Sequence, residues 1–226
     1  MDVVPILATP VDICRSRHLR ASLCIERLGG LTYTRGAHLH SPPKLDGVEQ
    51  PFAGLSALTL SPIDQTKLLA ITDLGWWVQL PRRPRLGVHN NVTMTPILGP
   101  DGMPVGAHGK ASADAEGLTH LPPSTSNGSG LLVSFERRHR VRRYDFDGDV
   151  PGRAQLFDNG ALDAALSECT GGGGNHGVEA LEMINSTHLL VVCESAESGA
   201  TGSAPAFILD LSVTTVGGAF DLRRTR

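Results

Sequence analysis

The chain has 226 residues, of which 40% are hydrophobic and 19% charged, and its formal net charge is −3 at pH 7. This composition excludes a coiled coil and a charge-driven disordered chain, and the small negative charge gives no general attraction to nucleic acid or to an anionic membrane. No apolar run of about 18 residues is present, so we expect no membrane span. The 26 Gly and 15 Pro residues favour many short strands joined by turns.

The first predicted unit is a poorly defined N-terminal segment, residues 1–27. Asp12, Arg15 and Arg20 interrupt its apolar residues, so it lacks the continuous apolar region of a signal peptide. We predict that a β-sheet domain follows over residues 28–212. Residues 213–226 then form a C-terminal tail.

Three segments of the predicted domain share one pattern, which is a short strand, a polar turn, an apolar strand and a closing acid. They comprise residues 54–73, 114–136 and 177–194. When Ser56, Glu116 and Glu179 are aligned, successive repeats begin 60 and then 63 residues apart. Apolar runs this short, bounded by turn residues, favour β-strands over buried helix. One helix is predicted, over residues 161–168.

A unit of paired strands that cannot bury both of its faces must stack on its neighbours. Four-stranded blades around an axis achieve this, whereas a β-helix would show a shorter period. We therefore predict an all-β fold of the β-propeller type, with Trp76 and Trp77 packed between blades. Because a propeller needs at least about four blades, the repeat length favours an incomplete propeller of about four blades or fewer. Residues 213–226 would then be a truncated blade.

The cysteines are Cys14, Cys24, Cys169 and Cys193, and no two of them form a Cys-x-x-Cys pair. Neither a zinc ribbon nor a thioredoxin-type site is therefore expected. A domain of this size does not need disulfides in order to fold, so we expect partly buried thiols.

Several segments of the repeats carry a resemblance to a known family. They are Gly54–Leu58, Leu68–Asp73, Asp114–Leu118, Leu131–Arg140 and Val178–Leu181. Over roughly residues 28–211, the chain resembles the phytase-like propeller family known as "esterase-like activity of phytase" proteins. The resemblance implies a bacterial, usually exported, all-β propeller whose chemistry is poorly defined.

The chain departs from this family in two ways. The family normally carries an export signal, which the N-terminal segment lacks, so a periplasmic or extracellular location is implied by the resemblance alone. The family also continues through further blades where this chain ends, at residues 217–226, which predicts truncation at the C-terminus. The Asp-rich and Asn-rich metal motifs of the established propeller phytases are not evident, so no motif supports phytate hydrolysis.

Acidic residues recur at two register positions of the repeats. Glu116 and Glu179 occupy the first position, and the second holds the closing acids Asp73, Glu136 and Glu194. Around a shared axis a repeated acid becomes a ring of carboxylates, which repels itself unless it binds a cation. Ca²⁺ takes about six to eight oxygen ligands, so we predict a calcium site at Glu116 and Glu179. Asp114 and Asn175 are the further predicted ligands. Alternatively, the closing acids pair with neighbouring Arg side chains or cap turns.

The seven residues after Glu136 include five Arg and one His, at the predicted crest of a hairpin. Arg presents a planar fork suited to phosphate or carboxylate oxygens. Beside a calcium site, Arg137, Arg138 and His139 would neutralise the charge that develops on an anionic small-molecule ester. The alternative is a solvated hairpin whose Arg side chains pair with Glu136 and Asp145. An aromatic content of 4% argues against nucleic acid as a partner.

These features support three interpretations of function. The first is a calcium-dependent hydrolase of phosphoester or carboxyester bonds, in which Glu116 or Glu179 accepts a proton. The second is a non-catalytic propeller that binds a ligand or a protein on one face, because a fold does not determine a function. The third is a truncated relative without activity, whose exposed edge strand would drive association.

Overall fold

The computed structural model describes most of the chain from residue 54 onward and short stretches before it. The described residues are 2–11, 27–28, 31–32, 36–40, 44–45, 48–49, 52, 54–124, 128–157, 160–169, 177–194, 205–212 and 223–224. They are mostly strand, arranged in antiparallel sheets. The prediction of an all-β fold is therefore confirmed, while closure into a propeller stays a prediction.

The first sheet has six strands, in the order β4-β1-β10-β9-β8-β7. Its strands are β1 (Asp2–Val11), β4 (Gly36–His40), β7 (Leu55–Leu60), β8 (Lys67–Thr72), β9 (Trp76–Pro81) and β10 (His89–Pro96). Two short hairpins accompany it, formed by β2 (Arg27–Leu28) with β3 (Leu31–Thr32) and by β5 (Lys44–Leu45) with β6 (Val48–Glu49). The strands β7 to β10 form a four-stranded meander within this sheet.

The second and third sheets are each a meander of four strands in chain order. The second contains β11 (Ala115–Ser124), β12 (Gly128–Phe135), β13 (Arg140–Asp147) and β14 (Val150–Leu156). The third contains β15 (Val178–Met183), β16 (His188–Cys193), β17 (Ala206–Asp210) and β18 (Arg223–Arg224). In both sheets each pair of neighbouring strands is antiparallel. Turn residues allow the reversals that the structure describes, at residues 136–139, 148–149 and 184–187.

Among the described residues, two α-helices lie between the sheets in sequence. They are the single turn α1 (Lys110–Ala113) and the longer α2 (Gly160–Cys169), which contains the predicted helix. No helix among the described residues is long and apolar enough to cross a bilayer.

The second sheet is buried on both of its faces because successive side chains of a strand point to opposite sides. Leu131 and Val133 of β12 pack in a cluster with residues of the first sheet, whereas Leu132 packs with residues of the third sheet and α2. In the first cluster the rings of Trp77 and Tyr144 meet edge to face with centroids 5.3 Å apart. Trp77 thus joins the first and second sheets, whereas Trp76, for which the same role was predicted, packs against a cluster of the first sheet.

The expectation that all the cysteines are thiols is wrong. Cys169 and Cys193 form a disulfide, with 24 residues of sequence separation. Cys169 ends α2 and Cys193 ends β16, so the bond ties the helix to the third sheet. The pairing follows from how the helix packs on that sheet, and spacing along the chain does not reveal such packing.

Candidate functional site

Each of the three predicted repeats contains the same backbone hydrogen bond. The N–H of the closing acid donates to the carbonyl of the residue that precedes the first strand. These bonds join Asp73 to Gly54, Glu136 to Asp114 and Glu194 to Gly177, at 2.9, 2.8 and 2.9 Å. The three strand pairs therefore share their local geometry at the end where the acids lie.

A break in strand register follows this hydrogen bond in each pair. The register shifts between Leu55 and Ala57, between Ala115 and Leu118, and between Val178 and Ala180. The residues at the shifts include Ser56, Glu116 and Glu179, which are the three that the repeat alignment superimposes. Because a β-bulge changes the direction of a side chain relative to the regular ladder, it can turn an acid out of the sheet face toward a neighbouring strand.

The first strands of the three repeats lie side by side, since β11 contacts both β7 and β15. Glu116 therefore has Ser56 on one side, within hydrogen-bonding reach of its carboxyl, and Glu179 on the other. This neighbourhood, which joins residues about 60 positions apart in sequence, is the one that the repeat alignment predicted.

Five carboxyl groups gather where β11, β12, β15 and β16 meet. They fall into two sets, Asp114 with Glu116 and Glu136, and Glu136 with Glu179 and Glu194. Within each set the ligand oxygens lie within 4.8 Å of one another. Glu136 belongs to both sets, so it lies at the centre of the group, which we call the acid cluster.

The members of the acid cluster differ in how their charge is balanced. Asp114 is buried, and its two oxygens form ion pairs with Lys110 and Arg137. Lys110 also contacts Asp73 at 2.8 Å. Glu136 is only 4% exposed, yet no described residue donates a hydrogen bond or forms an ion pair to its carboxyl. An ionised carboxyl group with so little exposed surface and no ion pair is costly, so a cation or a proton at Glu136 would stabilise the cluster.

Burial and mutual repulsion raise the pKa of the clustered acids. Burial, followed by the charges of Asp114 and Glu179, raises the pKa of Glu136 to about 7. Burial is also the main cause that raises the pKa of Glu116 to about 7, while Ser56 opposes the shift. The pKa of Glu179 is raised by burial and by the neighbouring Glu194. At neutral pH without a cation, the cluster therefore retains protons that isolated carboxyl groups would have lost.

These shifts predict that the calcium-free protein becomes less stable as the pH rises. Above pH 4.5, the ordinary pKa of Glu, the unfolded chain releases the proton of Glu136, whereas the folded protein keeps it until about pH 7. Because the unfolded state binds fewer protons in this interval, the free energy of unfolding falls, by about 1–3 kcal/mol once solvent screening of the carboxyl group is allowed for. Urea unfolding in chelator from pH 5 to pH 8 measures the decrease. A constant or rising free energy of unfolding would contradict it.

Comparison with known proteins identifies the family. Residues 50–226 match the family Phytase-like, described as "Esterase-like activity of phytase". The chain belongs to the phytase-like family. No match was found among curated proteins or among solved structures.

The phytase-like chain places the predicted Arg crest beside the acid cluster. Residues 136–139 form the turn between β12 and β13, as predicted. Arg137 has a φ of 56°, and the N–H of Arg138 donates to the carbonyl of Glu136 at 2.5 Å, which is the pattern of a γ-turn with positive φ. Such a backbone costs on the order of 1–3 kcal/mol in a residue other than glycine. The positive φ of Arg137 accompanies a contact between its side chain and Asp114.

The Arg side chains of the phytase-like crest make different contacts. Arg137 binds Asp114 rather than Glu136, with its Nε 2.5 Å from the carboxylate. Arg140 lies over the ring of Phe135, 3.9 Å from its centroid, and Arg143 pairs with Asp145 as the solvated-hairpin alternative expected. Arg137 therefore adjoins the acids, whereas Arg140 and Arg143 support the hairpin.

His139 lies next to the central acid of this phytase-like site. A Cβ built on Gly177 would lie 3.0 Å from Glu136 Cγ and 3.3 Å from His139 Nδ1, so glycine allows the two side chains to approach the start of β15. Nδ1 of His139 is buried and has no hydrogen-bond partner among the described residues, and burial lowers the pKa of this imidazole. The neutral ring is thus favoured beside the acids. Asn175 lies outside the described residues.

Only some members of the acid cluster were predicted as site residues from the sequence. Glu116, Glu179 and Asp114 were predicted as site residues, and the structure brings them together. Glu136, at the centre, was expected to be one of three equivalent closing acids, and Lys110 was not predicted at all. The only sequence signal for Glu136 is its register position, which it shares with Asp73 and Glu194.

Proposed function

We propose that this phytase-like protein is a calcium-dependent hydrolase of phosphoester or carboxyester bonds. The observation that carries the proposal is Glu136, a buried carboxyl group without a described partner, shared by two sets of acids. A divalent cation between these sets would offset both the repulsion among the acids and the cost of burying their charge.

The donor atoms of the acid cluster fit calcium. All of them are carboxylate oxygens, which are the ligands that Ca²⁺ prefers, and it takes about six to eight of them or of water. Among the described residues, the sets with metal-ligand spacing contain acids alone. Each of the two sets with ligand spacing could hold the ion, Asp114 with Glu116 and Glu136 or Glu136 with Glu179 and Glu194, and Glu136 would be a ligand in either. The two ion-paired cations, Lys110 and Arg137, leave a net negative charge on the five acids.

Bound calcium would polarise the phosphoryl or carbonyl oxygen of the substrate and lower the pKa of a coordinated water. The protein supplies the remaining groups. Glu116 or Glu179, each partly exposed, accepts the proton of the attacking water. In this proposal Arg137 and Arg138, in the turn after Glu136, would neutralise the negative charge that develops on the ester, and the neutral His139 ring would donate a hydrogen bond to it. The substrate class that matches these groups is a small anionic ester.

The test of this proposal is hydrolysis of generic phosphate and acyl esters, with calcium and then with chelator. We expect turnover that requires calcium and falls on the order of 100-fold or more in the Glu116→Gln, Glu179→Gln double variant, because a general base and ligand charges are lost together. Equal rates for the wild type and the double variant would contradict the proposal. Calcium that raises the melting temperature without any turnover would favour a structural ion in a non-catalytic binding protein.

We also propose that the protein acts in an exported compartment. The disulfide between Cys169 and Cys193 supports this location, since disulfides persist in the periplasm or outside the cell and are rare in the cytosol. Thiol labelling of the protein in its native compartment, before and after reduction, tests the proposal. Labelling of both cysteines without reduction would contradict it.

A further inference from the structure

One hydroxyl connects the two strands that carry Glu116 and Glu179. Ser134, on β12, is fully buried, with 0% exposure. Its Oγ accepts a hydrogen bond from the N–H of Gly117 at 2.7 Å and donates one to the carbonyl of Val178 at 3.0 Å. Gly117 directly follows Glu116, and Val178 directly precedes Glu179.

Both of these backbone groups lie where the strand register shifts. The ladder between β11 and β12 is irregular from Ala115 to Leu118, and that between β15 and β16 is irregular from Val178 to Ala180. A bulge leaves backbone groups without their regular partners. The Ser134 hydroxyl satisfies one such group on each side of the boundary between the second and third sheets.

The boundary is also closely packed at this point. A Cβ added to Gly117 would lie 2.6 Å from Ser134 Oγ and 3.0 Å from the backbone nitrogen of Leu181. Only a glycine therefore allows β11, β12 and β15 to approach this closely. The short distances leave the bulge that bears Glu116 little freedom to move relative to Glu179.

We propose that Ser134 is the positioning residue of the cation site, which sets the separation between the carboxylates of Glu116 and Glu179. The proposal rests on the proposed function, since it assigns the acid cluster a bound cation. Ser134 acts through the backbone of the two ligand-bearing strands and does not itself bind the ion.

Ser134 is not the nucleophile of an esterase, although a serine next to an acid cluster invites that interpretation. A nucleophilic serine needs a general base as the acceptor of its hydroxyl proton. The Ser134 proton is donated to a backbone carbonyl, and the oxygen is fully buried. Its hydrogen bonds are those of a structural link.

Thr119 provides a matched control for this link. Its hydroxyl accepts a hydrogen bond from the N–H of Met183 at 3.0 Å, so it also joins β11 to β15. Thr119 is buried as well, but it contacts the far end of β15, away from Glu179. Removing its hydroxyl should weaken the docking of the two sheets and leave the acid cluster unchanged.

The test is the calcium affinity of the full chain, measured by equilibrium dialysis with radioactive calcium. We expect Ser134→Ala to weaken calcium binding on the order of 10- to 100-fold, the usual effect of losing a group that orients metal ligands. Thr119→Val is expected to lower the melting temperature comparably while keeping the wild-type affinity. If Ser134→Ala does not fold by circular dichroism, Ser134→Cys, which keeps a weak donor, replaces it and should show a smaller loss of affinity.

The outcomes separate this inference from the proposed function. A wild-type protein that binds no calcium contradicts the proposed function itself. A wild-type protein that binds calcium, with Ser134→Ala or its replacement binding equally well, overturns the role of Ser134 alone. Equal losses of affinity in Ser134→Ala and Thr119→Val also overturn it, because the effect then belongs to sheet docking in general.

Discussion

Calcium is expected to reverse the order of stability of the wild type and the Glu136→Gln variant. In chelator at pH 8 the variant should be more stable than the wild type, by about 1–3 kcal/mol, because the wild type must ionise a buried carboxyl whose pKa is raised to about 7. In saturating calcium the wild type should be the more stable protein, since binding to the folded state alone adds stability in proportion to the logarithm of calcium concentration. The variant lacks the ligand shared by both acid sets, so calcium should add little to its stability.

The measurement is thermal unfolding of both proteins in chelator and in a calcium series, with ester turnover followed in parallel. Glu182→Gln is the matched control, because Glu182 is an exposed acid on β15 outside both acid sets. We expect the control to respond to calcium like the wild type. A Glu136→Gln variant that keeps the full calcium response, or that is less stable than the wild type in chelator at pH 8, would rule out the central role assigned to Glu136.

Loss of the disulfide is expected to have the second large effect. Without the bond, the unfolded chain gains the entropy of a loop of about 25 residues, which corresponds to about 3.5 kcal/mol of stability. For a protein of this length, the melting temperature should fall by about 10 °C. Cys193 directly precedes Glu194, so the position of this acid also becomes less constrained and calcium affinity should decrease.

The Cys169→Ala, Cys193→Ala double variant tests the contribution of the disulfide to stability and to calcium affinity. It needs no reductant, so the other two cysteines are left unchanged. Thermal unfolding in chelator reports the structural part of the effect, and calcium dialysis reports the part that acts on the acid cluster. A melting temperature within about 2 °C of the wild type, less than the expected effect of 1 kcal/mol, would show that the disulfide adds little to stability. Unchanged calcium affinity would show that the bond does not constrain Glu194.

The strand pattern and the helix were predictable because both depend on local sequence. Short apolar runs bounded by turn residues gave the positions of β8, β12 and β16, and the same reasoning located the helix within α2. The alignment of Ser56, Glu116 and Glu179 was possible because each repeat places its bulge at the same step. A repeated local geometry leaves a repeated signature in the sequence.

Glu136 was not predictable as the central acid for a reason specific to its turn. Its position beside Arg137 suggested a local ion pair, which would have left it an ordinary surface acid. The positive φ of Arg137 instead accompanies a guanidinium contact with Asp114, and Glu136 is left buried without a described partner. The environment of Glu136 therefore depends on the backbone conformation of Arg137 and on burial by neighbouring strands.

Hydrophobic periodicity and turn residues act over a few positions of the chain, and the same local pattern recurs 60 and then 63 residues later, which is why the strands, the Arg crest and the family were all visible in the residue order. Charge balance and cysteine pairing act across space. Lys110 pairs with Asp73 of the first repeat as well as with Asp114, Arg137 contacts Asp114 from 23 positions away, and the bond between Cys169 and Cys193 joins a helix to a sheet. Electrostatic and covalent contacts of this kind follow from distance in the folded protein, and distance along the chain carries little information about them.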